Sequence, residues 1–184
     1  MNYANYSEPK LFRHLSYLGL IVFFNQKIKM IYNDIQQLKQ VMPNGGRIMG
    51  LDVGTKTIGV AISDGDWLIA TPKLTIKRQG EKSDFPIIKN IISENKIIAV
   101  VVGLPLNMDG SESKMSEFVR KFASNLDKFL SDVKIIFFDE RLSSFEAEEL
   151  MKLAKTKKHR KDQVVDQIAA SVILQGFIDQ LTNS

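Results

Sequence analysis

The sequence predicts a mixed α/β layered domain, and three observations carry that prediction. Two short apolar runs flank a glycine turn near residue 54, the mark of a β-hairpin. A continuous apolar run, Ile97-Ile98-Ala99-Val100-Val101-Val102, reads as a strand covered on both faces. From Phe85 onward, helical spacing and strand-like runs alternate, as they do when helices pack on the faces of a sheet.

Taken in order, Ile48–Val53 and Ile58–Ile62 form the hairpin, and Trp67–Ile76 follows as a third strand entered through Asp64-Gly65-Asp66. Phe85–Asn95 is helical, with Ile87, Ile88, Ile91 and Ile92 at helix spacing. The fourth strand spans Lys96–Gly103. A helix over Glu112–Leu130 presents Met115, Phe118, Val119, Phe122 and Leu126, and Val133–Phe138 is the fifth strand. Helices over Ser143–Ala154 and Asp162–Leu181 complete the chain, with Ser143 or Ser144 suited to cap the first of them.

Composition limits the possible chemistry. A chain of 184 residues suits one domain with a real core. With no cysteine and only His14 and His159, thiolate and histidine zinc sites and cysteine nucleophiles are excluded. The absence of cysteine also fits a reducing, cytoplasmic setting. The net charge of +4 is contributed entirely by residues 1–47; residues 48–184 hold 19 charges of each sign. Overall charge therefore says little about partners, and local clusters decide.

Residues 1–46 read as an N-terminal extension apart from a domain at 47–184. The apolar run Leu15–Phe24 is far short of the about 18–20 residues that span a bilayer, and no signal-cleavage pattern follows it, so no membrane is implied. Ile28–Val41 has the spacing of a docking helix, and Pro43-Asn44-Gly45-Gly46 breaks the chain before the domain. Met30, Met42 and Met49 are possible internal starts.

The polar signals fall at the ends or centres of these elements. Asp52 sits inside an apolar strand, two residues before the Gly54 turn that carries Thr55 and Lys56. A buried carboxylate needs a cation, a metal or hydrogen-bond donors; the simpler alternative is an acid that caps its own turn. Gly103-Leu104-Pro105-Leu106-Asn107-Met108-Asp109-Gly110 follows the fourth strand, where ligands bind in open α/β sheets, although the composition is also that of an ordinary turn. Asp139-Glu140-Arg141 closes the fifth strand, and could equally be a solvated ion pair. Asp162 and Asp166 share one face of the last helix, with Asp166 among Val165, Ala169, Ala170 and Ile173.

Three carboxylates on separate elements of one small sheet can converge on hard divalent cations such as Mg²⁺. Two such ions about 4 Å apart can activate water at a phosphodiester and stabilise the leaving oxygen, with no need for histidine. The run Lys152–Lys161, with six Lys or Arg in ten residues, directly precedes the Asp166 helix and suits a phosphate backbone.

Four segments, IMGLDVGTKTIGVAISD, VVGLPLNMDGSES, FFDERLSSFEAEELM and KDQVVDQIAASVILQGF, resemble in order and spacing the YqgF/RuvX-like family of RNase H-fold nucleases. The resemblance covers about residues 47–181. It implies an RNase H-like, five-stranded mixed sheet, three antiparallel strands then two parallel, flanked by helices. It also implies phosphodiester hydrolysis dependent on Mg²⁺ or Mn²⁺, with Asp52, Glu140 and Asp166 as the catalytic and metal-binding acids. Asp139 is a neighbour able to share that work. Asp52 would bridge two ions, and Glu140 and Asp166 would each complete one shell.

Thr55 and Lys56 are expected to position the scissile phosphate. Asn107, Arg141, Lys157, Lys158, Arg160 and Lys161 are expected to hold flanking backbone. Members of the family are associated with 5′-end maturation of pre-16S ribosomal RNA, which points to the small-subunit precursor as partner, and with Holliday junction resolution on branched DNA as the alternative. The residues before Arg47 have no counterpart in the family pattern. Where many RNase H folds carry an acid on the fourth strand, this chain has Gly103-Leu104-Pro105-Leu106-Asn107, and Glu140 serves instead.

Two other classes compete. Asp52-Val53-Gly54-Thr55-Lys56 also resembles the first phosphate loop of actin- and hexokinase-type phosphotransferases, but those need a duplicated domain that 184 residues cannot supply. A non-catalytic RNA-binding assembly factor would keep the fold without the hydrolysis, and the presence of all three acids argues against it.

Overall fold

The computed structural model describes residues 31–32, 40, 42, 45–130, 132–142 and 161–183. Its elements are β1 (Ile31–Tyr32), β2 (Arg47–Val53), β3 (Thr57–Ser63), β4 (Ala70–Lys77), α1 (Glu81–Asn95), β5 (Ile97–Leu104), α2 (Lys114–Leu130), β6 (Lys134–Asp139), a 3₁₀ turn (Glu140–Leu142) and α3 (Lys161–Thr182). They build one sheet in the order β1-β6-β5-β2-β3-β4. β2, β3 and β4 pair antiparallel, while β2–β5 and β5–β6 pair parallel, so the five expected strands stand in the expected sense.

The sixth strand is a correction. The helix expected over Ile28–Val41 does not form at Ile31–Tyr32, which pair parallel with Ile135 and Ile136 of β6. β6 would otherwise end the sheet with free N–H and C=O groups, and a β-branched and an aromatic residue suit that edge better than a helix. The third strand also starts later than expected. Trp67 takes a left-handed φ of 55°, which an extended strand cannot accommodate. The Asp64 side chain accepts from the amides of Leu68 and Ile69 (2.7 and 3.2 Å), so 64–69 is a capped turn. The expected helix Ser143–Ala154 and most of the basic run lie outside the described residues.

Side chains alternate across the sheet and sort into two cores. Met49, Leu51, Ile58, Val60, Val100, Val102 and Ile135 pack beneath α1 and α2 with Phe85, Ile88, Phe122 and Leu126. Ile48, Ala61, Ala99, Val101, Ile136 and Phe138 pack on the other face against Ala170, Ile173, Leu174, Phe177 and Ile178 of α3. Burial of each large side chain contributes about 1.5–3 kcal/mol.

α3 lies unusually close to the sheet. A Cβ on Gly50 would stand 2.7 Å from Leu174 Cβ and 2.8 Å from the Ala170 carbonyl oxygen. Glycine is required there because the helix backbone occupies the side-chain space. Gln175 fixes the helix along its length: its Oε1 accepts from the Ala70 amide (2.9 Å) and its Nε2 donates to the Leu68 carbonyl (3.1 Å).

Candidate active site

The alternation that sorts the cores also places the acids. Asp52 shares the parity of Ile48 on β2, and Glu140, just past β6, continues that of Ile136 and Phe138; both parities belong to the α3 face. In the β2–β3 ladder Asp52 is paired with Gly59. A Cβ on Gly59 would collide with the backbone carbonyl of Asp166 and stand 3.2 Å from its Cβ. A Cβ on Gly103 would stand 2.5 Å from Glu140 Oε1 and 2.5 Å from Ile173 Cδ1. Two glycines thus open the space into which Asp166 and Glu140 fit beside Asp52.

The electrostatics record the convergence. Burial, then repulsion from Asp166, pushes the Asp52 carboxyl up from 3.8 to about 6. Burial, then repulsion from Asp52 and Asp139, pushes Glu140 up from 4.5 to about 7. Asp166 Oδ2 is buried without a hydrogen-bond partner. Such an atom carries a full desolvation penalty unless something positive reaches it.

The donor set is oxygen only, as a hard divalent cation requires. Among the described residues no group of three or more Asp, Glu, His or Cys side chains is placed to hold a metal ion as it stands. Even so, the unpartnered oxygen and the mutual repulsion are what a cation between these acids would relieve.

The other expected residues divide. Thr55 and Lys56 are exposed in the turn after Asp52, which the Gly54 amide closes onto the Thr57 carbonyl (2.9 Å). Asn107 is exposed, but its Nδ2 donates to Ser111 Oγ (2.9 Å) and its backbone amide to the Ser111 carbonyl (2.9 Å), so it also builds its own loop. The Asp109 carboxyl in that loop is held below the usual range by hydrogen bonds from Ser111.

Arg141 is committed to its neighbours. Its Nε and Nη2 donate to the Asp139 carboxylate, at 2.6 Å for the shortest bond, and its Nη1 donates to the Met108 carbonyl (3.1 Å). These bonds hold the Asp139 carboxyl below its usual range. Arg141 thereby ties the 3₁₀ turn that carries Glu140 to the loop after β5. Lys161 opens α3. Lys157, Lys158 and Arg160 lie outside the described residues, as do Ser143 and Ser144.

Sequence reasoning missed Gly59 and Gly103 as parts of the site, and it missed Arg78 and Asp84. A glycine in the middle of an otherwise β-branched strand is a readable signal of close approach. Arg78 and Asp84 left a fainter one, a cation ending a strand and an acid in the first turn of the next helix.

A mixed sheet of three antiparallel and two parallel strands, extended here at one edge by β1, with acids beneath one helix, defines the RNase H-like class. Among solved structures, the fold resembles that of RuvC from Thermus thermophilus in complex with a Holliday junction substrate, with a TM-score of 0.51 at 12% identity, covering 76% of this chain and 98% of that one. A sequence profile described as "RuvX: Holliday junction resolvase" matches residues 46–180.

The chain belongs to the RuvX family. A protein of Cereibacter sphaeroides named "Putative pre-16S rRNA nuclease" is 43% identical over 152 residues, covering 83% of this chain and 94% of that protein. One of the same name from Paracoccus denitrificans is 41% identical over 152 residues, covering 83% and 96%.

Proposed function

We propose that this protein is a nuclease that hydrolyses phosphodiester bonds with the help of Mg²⁺ or Mn²⁺, and that its substrate is precursor 16S ribosomal RNA near the 5′ end. The observation that carries the chemistry is the buried, unpartnered Asp166 Oδ2 on the helix pressed against Gly59, the ladder partner of Asp52. The substrate follows from the names of relatives more than 40% identical.

Asp52, Asp166 and Glu140 would hold the divalent cation. When bound, such a cation supplies positive charge against the negative charge that develops on the phosphoryl oxygens. Thr55 and Lys56, exposed beside Asp52, orient the scissile phosphate by hydrogen bond and charge. Arg141 keeps Glu140 in place by clamping Asp139 to the Met108 carbonyl, and its positive charge faces flanking backbone together with Asn107. Lys157, Lys158, Arg160 and Lys161 add the sequence-independent attraction for phosphates.

In this reading residues 47–184 are the nuclease domain in the cytoplasm, and residues 1–46 are an N-terminal extension whose described strand, Ile31–Tyr32, adds the β1 edge. No described helix is long and apolar enough to cross a membrane. Asp52→Asn tests the reading: it should abolish cleavage of a pre-16S leader RNA while leaving folding and RNA binding intact. Full activity of that variant would overturn it.

The family description favours one second reading, resolution of four-way DNA junctions. A resolvase cuts two symmetric strands and works as a two-fold dimer. Paired symmetric nicks in a junction would establish it.

A further inference from the structure

The turn that carries Thr55 and Lys56 does not have the backbone of a favoured two-residue hairpin. The tight hairpins that match strand twist need positive φ in the loop, and among the described non-glycine residues only Trp67 and Lys96 have it. The Gly54–Thr57 turn therefore depends on support from outside, and one residue provides it at two points. The Arg78 amide donates to the Lys56 carbonyl (2.9 Å), and Arg78 Nη1 donates to the Gly54 carbonyl (3.0 Å).

The guanidinium that reaches Gly54 is itself held on three sides. Its Nε pairs with Asp84 Oδ2 at 3.3 Å, with the two side chains 11% and 1% exposed. Its Cζ lies 4.9 Å from the ring centroid of Phe118 and 5.1 Å from that of Phe122, both on α2. The second Asp84 oxygen accepts from the Gln79 amide (3.0 Å), which locks the carboxylate to the start of α1. A buried ion pair is weak evidence for stability, since well-packed apolar residues often do as well. What an apolar pair cannot do is aim a donor at Gly54. Lysine cannot do it either while also meeting Asp84 and placing its charge over two rings.

We propose that Arg78 is a positioning residue of the active site: anchored by Asp84, Phe118 and Phe122, it fixes the Gly54–Lys56 turn and thereby aims Thr55 and Lys56 and sets the end of the strand that carries Asp52. This deepens, and rests on, the nuclease reading. Arg78 touches no reacting atom, so its effect is on the geometry of the turn.

The test compares full-length wild type, Arg78→Lys and the double variant Arg78→Met, Asp84→Leu. Amide hydrogen exchange is followed at Gly54 and in the β2–β5 ladder, alongside kcat and KM for metal-dependent cleavage. Both variants should keep core protection and exchange Gly54 at least tenfold faster. They should lose at least tenfold in kcat with KM within threefold, because many other phosphates hold the RNA.

Unchanged Gly54 exchange in a folded variant overturns the proposal, and so does unchanged kcat. Unfolding of both variants also overturns it, by making the pair a foundation of the fold. A wild-type protein that cuts neither RNA nor junction counts against the nuclease reading, while Gly54 exchange still decides the role of Arg78.

Discussion

The backbone of Asp166 occupies the space where a side chain on Gly59 would stand. Because Gly59 is the ladder partner of Asp52, one missing Cβ sets the distance between two acids that lie 114 positions apart in the chain. The contact joins α3 to the hairpin by backbone rather than by a flexible side-chain end, so little can give way.

Gly59→Ala should therefore be costly. The new methyl group must push the first turns of α3 off the sheet, an overpacking cost of about 1–3 kcal/mol. It should lower cleavage by more than the unfolded fraction accounts for, because Asp166 moves with the helix. Urea unfolding and cleavage rates on the same preparation check this. Wild-type values for both would mean that α3 is not seated as described.

Asp52→Asn should separate stability from function. Removing the charge relieves burial and the repulsion from Asp166, so without metal the variant should be more stable than wild type at pH 8 by about 3 kcal/mol, and by roughly half as much at pH 5. Its cleavage activity should be lost. Chemical denaturation at the two pH values measures the difference, and a variant less stable than wild type at pH 8 contradicts the electrostatic account.

The raised carboxyls also fix a pH window. Between about pH 4 and pH 7 the folded protein keeps protons on Asp52 and Glu140 that the unfolded chain has released, so metal-free stability should fall as pH rises through that range. The lowered carboxyl of Asp139 acts in the opposite sense, below the window. Mg²⁺ or Mn²⁺ should reverse the trend at pH 8, by about 2.7 kcal/mol at a hundredfold excess over Kd, and should do little at pH 5, where protons compete. Thermal unfolding with and without metal reads this out. A metal response equal at both pH values would mean binding elsewhere.

Arg141→Ala should cost less than about 1 kcal/mol in stability, since its ion pair with Asp139 is partly exposed. Cleavage should fall more, because the loop after β5 and the turn carrying Glu140 lose their tie. Arg141→Lys should recover little, as a point charge cannot replace the fork. Activity equal to wild type in the alanine variant would remove Arg141 from the site.

The strands were legible because period-2 burial and apolar runs write themselves into local sequence; Ile97–Val102 needed nothing else, and the place of Asp52 inside a strand could be read in the same way, whereas the grouping of Asp52 with Glu140 and Asp166 leaned on the family resemblance. The strand at Ile31–Tyr32 was not legible, because its cause is the open edge of β6, more than 100 positions away. The same holds for Arg78, whose partners Gly54, Asp84 and the α2 pair Phe118 and Phe122 come from three separate places along the chain. Arg141 read both as part of a local ion pair and as a phosphate ligand, and the fold shows how many of its donors Asp139 and Met108 already take.

The most direct measurement is cleavage of two labelled substrates, a pre-16S 5′-leader RNA and a synthetic four-way DNA junction, by wild type and Asp52→Asn, each with Mg²⁺, with Mn²⁺ and with chelator. The account predicts metal-dependent cutting of the RNA near the mature 5′ end, absent from the variant. RNA bound but uncut by wild type under every metal condition, or cut equally by the variant, would contradict it.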